Sequence, residues 1–80
     1  MMKWAAVNST SIAAIGYDWQ KHELGIEFLQ SGAVYFYFAV PPEEYRAFMA
    51  AESKGGYLNR VFKTRGYRYS GPYPGRGRAA

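Results

Sequence analysis

Two adjacent prolines, Pro41 and Pro42, divide this chain into halves with different hydrophobic periods. Proline has no amide hydrogen to give to a β ladder, so a strand that runs into the pair must stop; its fixed φ suits the first position of a helix, so a helix can start there. Ahead of the pair, Leu24, Ile26 and Phe28 alternate with Glu23, Gly25 and Glu27, the pattern of a half-buried strand. Ser9 to Trp19 reads as an earlier strand, and the three-residue step from Ile12 to Ile15 predicts a bulge in it. Ala33 to Val40 reads as a third, with Val34, Phe36, Phe38 and Val40 on one face and Tyr35 and Tyr37 on the other. Behind the prolines the period becomes helical. Glu43 and Glu44 complement the dipole of a first turn, Val40 and Tyr45 occupy the positions of a hydrophobic staple, and Tyr45, Phe48 and Met49 form the apolar stripe. Ser53-Lys54-Gly55-Gly56 reads as a corner, because two glycines in mid-helix would cost about 2 kcal/mol relative to alanine. Tyr57, Leu58, Val61 and Phe62 mark a second helix, with Gly66 as its left-handed cap.

The expected fold is therefore α+β: a three-stranded antiparallel β-meander followed by two short helices packed on one face of the sheet. The domain spans residues 1–69. From Ser70 onward, glycine, proline and arginine leave nothing to bury, so residues 70–80 read as a disordered basic tail. A three-residue turn, Gln30-Ser31-Gly32, would pair Phe28 with Val34 and Ile26 with Phe36, leaving Tyr35 and Tyr37 on the open face beside Glu27.

With 80 residues there is room for one core, and with no cysteine that core must hold without disulfides; five Phe, eight Tyr and two Trp supply the apolar area. The absence of cysteine also excludes thiolate metal ligands and a thiol nucleophile. The apolar run at the start stops at Asn8, too short for a signal peptide, and no segment approaches a membrane span, so a cytoplasmic protein without membrane attachment is expected. His22 stands alone in a turn, Ser9-Thr10-Ser11 is not a nucleophile motif, and Glu43-Glu44 is a helix start. No phosphate-binding glycine loop, metal cluster or catalytic triad can be assembled, so neither enzymatic activity nor a cofactor is expected.

Charge is unevenly distributed. Up to residue 52, Lys3, Lys21 and Arg46 face Asp18, Glu23, Glu27, Glu43, Glu44 and Glu52, a net −3; beyond it Lys54, Arg60, Lys63, Arg65, Arg68, Arg76 and Arg78 meet no acid, a net +7. Such a split suggests a polyanionic partner for the basic half. Glu52 and Arg65 fall on the apolar stripes of their helices, so at least one of them should find a partner within the protein.

The order Ser11-Ile12, Ile15-Gly16-Tyr17-Asp18, Leu24-Ile26-Phe28, Gly32, Tyr35-Phe36-Tyr37, Val40-Pro41, Tyr45, Ser53-Lys54-Gly55 and Tyr57-Leu58-Asn59 resembles the KTSC domain family over roughly residues 8 to 69. That family is named for the C-terminus of some lysyl-tRNA synthetases and also occurs as small single-domain bacterial proteins. The Tyr35-x-Tyr37 pair corresponds to its central Tyr-x-Tyr. The resemblance implies RNA binding as a proposal for the family, and it brings no catalytic residues.

Two candidate surfaces follow. Tyr35 and Tyr37 would form a platform for stacking bases. Lys54, Asn59, Arg60, Lys63, Arg65 and Arg68 would form a basic patch on and around the second helix, extended by Arg76 and Arg78 of the tail, for phosphates. RNA is the first expected partner. The alternative is a protein-interaction module that docks another chain through its aromatic surface, with a monomer as the default state.

Overall fold

The computed structural model describes residues 1–75. The chain runs through β1 (Lys3–Ala6), β2 (Ile12–Asp18), β3 (Glu23–Phe28), β4 (Val34–Tyr37), α1 (Pro42–Ala50), α2 (Lys54–Arg60), a 3-10 turn (Phe62–Arg65) and β5 (Tyr69–Tyr73). The α+β class holds, with the two helices on one face, but the sheet has five antiparallel strands in sequence order where three were expected. The additional pair are its two edges. β1 comes from the apolar start and β5 from the segment read as a tail: Tyr69–Tyr73 pairs with β4, Tyr37 opposite Tyr69 and Val34 opposite Tyr73. The expected tail is thus ordered at its beginning, and Arg76 and Arg78 lie outside the described residues. No described helix is long and apolar enough to cross a membrane.

The β3–β4 register also differs from expectation. Ile26 lies opposite Tyr35, Leu24 opposite Tyr37 and Gly25 opposite Phe36. Residues 29–32 form the turn, closed by Gly32 N–H donating to the Phe28 carbonyl at 2.9 Å, and Gly32 takes the left-handed φ of 72°. One extra turn residue moves every side chain of β4 to the other face. Tyr35 and Tyr37 therefore share the helix side with Ile26 and Leu24, while Phe36 points away from the helices. Glu27, opposite Val34, leaves the face of the tyrosines.

Phe36 is not abandoned to solvent, because the far face has its own cover. Gly16 and Gly25 sit side by side on β2 and β3, and Trp4 lies across both of them. A Cβ at Gly16 would fall 2.6 Å from the indole Cδ2, and one at Gly25 2.6 Å from Cη2. Two residues without side chains thus make the seat for a large ring, and Phe36 meets that ring edge-on at 6.3 Å. β2 is consequently covered on both sides, which is why all of it except Ala13 is buried. The expected bulge appears as a register shift between Ile12 and Ala14.

Between sheet and helices, Ile12, Ile15, Tyr17, Leu24, Ile26 and Tyr37 pack against Val40, Phe48, Leu58 and Phe62. Pro41 caps α1 and Pro42 opens it, as the sequence predicts, and the Tyr17 hydroxyl donates to the Val40 carbonyl at 2.5 Å across the junction. The corner is tighter than expected. Ser53 is the N-cap of α2, its Oγ accepting from Gly56 N–H at 3.0 Å, so both glycines fall inside the first turn. Gly55 is needed there by proximity: a Cβ would stand 2.6 Å from Ser11 Oγ. Gly66, with φ of 76°, ends the 3-10 turn as the expected left-handed residue.

Candidate functional site

The helices cover only part of their face of the sheet. Where they stop, an open cleft of about 740 Å³ lies over the β3–β4 hairpin and β5. Its aromatic lining comes from Phe28, Tyr35 and Tyr69, with Tyr37, Phe62 and Tyr67 deeper in. Tyr35 meets Phe28 edge to face at 5.7 Å and leans on Tyr69 at 5.9 Å. Tyr69 on the edge strand remains 59% exposed. Lys63 and Tyr67 border the cleft from the 3-10 turn and the segment behind it, and Thr10, Ser11, Gln30 and Ser31 from two loops. Among the described residues no carboxylate lines it.

Both tyrosines read from the sequence line the cleft, but they differ in exposure. Tyr37, 8% exposed, is a core residue, with its ring T-shaped against Phe62 at 4.9 Å. Burial pushes its hydroxyl above the ordinary tyrosine pKa, with smaller contributions from Tyr35 and Tyr69. Tyr35 is half-buried and open to the cleft. The face assignment also removes Glu27 from beside the rings.

The predicted cations stand in different surroundings. Lys63 lines the cleft. Lys54 and Asn59 border a second, smaller depression beside Ser53 and Glu52, where the Lys54 ammonium donates to the Ala51 carbonyl at 2.5 Å. Arg60 folds its guanidinium back over Gly56, close enough that a Cβ there would lie 2.6 Å from it. Arg68 is exposed at the entry to β5, with its carbonyl accepting from Phe38 N–H at 2.9 Å.

Arg65 is committed elsewhere. Its Nε donates to Glu44 Oε1 at 2.7 Å, Tyr67 donates to the same oxygen at 2.8 Å, and Tyr57 donates to Oε2. Arg65 thus finds the internal partner expected for it, but that partner is Glu44 and not Glu52, which is exposed. The Glu44 side chain is only 4% exposed. Burial alone would raise its pKa; the hydrogen bonds from Tyr57, Arg65 and Tyr67 outweigh burial and hold the carboxyl below its ordinary value. Burial and the bond to Glu44 push the Tyr67 hydroxyl up to about 12. Glu44 is the residue that the sequence reading overlooked. It lies four positions before Phe48, on the buried side of α1, and that spacing was the available signal.

The KTSC domain family model matches residues 8–69, which takes in the whole cleft lining and the Glu44 cluster. The chain belongs to the KTSC domain family. An uncharacterised protein from Stutzerimonas stutzeri is 47% identical over 68 residues, covering 85% of this chain and 94% of the relative. A protein from Tsukamurella paurometabola is 42% identical over 59 residues, covering 74% of this chain and 87% of its own length. The crystal structure of a KTSC domain protein from Yersinia pestis superposes with a TM-score of 0.80 at 34% identity, covering 88% of this chain and 96% of that one. Within this KTSC domain, β1 and all of β5 beyond Tyr69 lie outside the matched residues. The seat of Trp4 is thus built from a strand outside the match and two glycines inside it.

Proposed function

We propose that this KTSC domain is a small non-catalytic binding module of the cytoplasm that holds single-stranded RNA weakly and with little sequence preference. One observation carries the reading: the cleft sets the aromatic side chains of Tyr35, Tyr69 and Phe28 beside Lys63, with no carboxylate among the described residues of its lining. Every base has a flat face to stack on a ring, and every nucleotide a phosphate to meet a cation, which gives affinity without sequence readout. Exposed Arg60 and Arg68 and the basic C-terminal residues add long-range attraction. Arg65 contributes less, because Glu44 already neutralises it.

Fluorescence anisotropy of a labelled single-stranded oligonucleotide between about 50 and 200 mM salt tests this. Affinity is expected to fall steeply with salt, and Lys63→Ala to flatten the logarithmic salt slope by roughly 0.7, one phosphate contact on a single strand. The exposed rings of Trp19, Tyr69 and Tyr73 favour docking of a protein as the second reading. Absence of RNA binding at the lowest salt would leave that reading in place, since apolar docking is insensitive to salt over this range.

A further inference from the structure

Resting on the RNA-binding reading, we infer that the cleft is a site for one unstacked ribonucleoside monophosphate unit, its base against Tyr35 and Tyr69 and its phosphate on Lys63. The composition of the lining sets this limit. Among the described residues its lining contains a single basic side chain, Lys63, enough to neutralise one phosphate, while further phosphates of a strand would lie outside it. Its volume, about 740 Å³, falls within the roughly 300–1,000 Å³ of sites for small ligands and is short of a groove for an extended strand.

The neutral part of the lining suits the edge of a base. The side chains of Thr10, Ser11 and Gln30 make no hydrogen bond within the described residues, although each can both donate and accept. Ser31 is partly committed, since its Oγ accepts from Ala33 N–H at 3.1 Å. Hydroxyl and amide groups that can reverse roles accommodate the edges of different bases, so the site should distinguish a base from no base more strongly than one base from another. The position of Lys63 is secured through its neighbours. Phe62 is buried in the core and Tyr67, which borders the cleft with it, is held by Glu44. The cation is therefore presented from a turn anchored on both sides.

The test is a nuclear magnetic resonance titration of the isotope-labelled full chain with three probes: adenosine monophosphate, ribose phosphate and a single-stranded octanucleotide. Adenosine monophosphate is expected to move the ring signals of Tyr35 and Tyr69 together with those of Lys63. Ribose phosphate should bind roughly 5- to 150-fold more weakly, the loss that corresponds to one stacked base. The octanucleotide should move the same signals. Equal binding of the two small probes would overturn the stacking assignment. Octanucleotide binding that moves the cleft while adenosine monophosphate does not would overturn the one-nucleotide site and leave the RNA reading intact. Octanucleotide shifts confined to α2 would overturn the choice of cleft, and no response to any probe would remove the RNA reading itself.

Discussion

Glu44→Ala is expected to lower folding stability by about 2–6 kcal/mol, because it strands two part-buried tyrosine hydroxyls at about 1–3 kcal/mol each. Tyr57 and Tyr67 lose Glu44 as the acceptor of two part-buried hydrogen bonds. Arg65 adds less, since its side chain is 51% exposed and can turn to solvent. Glu44→Gln keeps an acceptor oxygen and most of the shape, so its cost should be distinctly smaller. The pH dependence identifies the cause. Glu44 has its folded pKa below the ordinary carboxylate value, so it contributes stability above that ordinary value, lost as pH falls through the folded one. Tyr67 has its folded pKa raised from 10.0 to about 12. Its contribution is complete below pH 10 and is lost as pH rises towards 12. Urea unfolding across pH should show both losses in the parent chain and flatter profiles in Glu44→Ala. A midpoint unchanged at neutral pH would show that the three hydrogen bonds add nothing to stability.

Phe48→Ala is expected to cost about 3–5 kcal/mol, the range for removing a fully buried phenylalanine. Phe48 is 0% exposed and joins three elements: its ring lies 5.1 Å from that of Tyr57 on α2 and 5.3 Å from that of Phe62 on the 3-10 turn. A domain of this length has a total stability of about 4–12 kcal/mol, so the variant should be substantially unfolded at physiological temperature. Phe48→Leu should retain the fold at a smaller cost, since most of the volume is kept. Thermal unfolding followed by circular dichroism checks both. An Ala variant that melts with the parent would contradict the placement of Phe48 at the centre of the core.

The elements most legible in the sequence were those with a local cause. Pro42 opening α1, the bulge before Ile15 and Gly66 closing the 3-10 turn each depend on residues within a few positions. β5 had no such signal. Tyr69–Tyr73 is short, contains Gly71 and Pro72, is mostly exposed, and becomes a strand because β4 offers it an edge. The register was misjudged for a related reason. Gly32 supplies a left-handed residue to a three- or a four-residue turn alike, so it cannot distinguish them. The three-residue reading set Phe36 opposite Ile26 on the buried face and left the tyrosines on an open one. Trp4, seated on Gly16 and Gly25, covers that face and lets Phe36 point outward. At the candidate site, sequence singled out Tyr35 and Lys63 but could not separate Tyr35 from Tyr37, because Phe62 covers only the second. Glu44 was read as a helix-dipole residue, and its three donors come from positions 57, 65 and 67, too far along the chain for spacing to reveal.

The proposed site for RNA is the cleft and not the exposed face of α2. Its most direct test compares Tyr35→Ala with Arg60→Ala on one single-stranded oligonucleotide at about 50 mM salt, with near-ultraviolet circular dichroism confirming that both variants are folded. Tyr35→Ala is expected to weaken binding by about 1–3 kcal/mol, one lost stacking partner, and Arg60→Ala by clearly less. An Arg60→Ala loss equal to or larger than that of Tyr35→Ala would contradict the account.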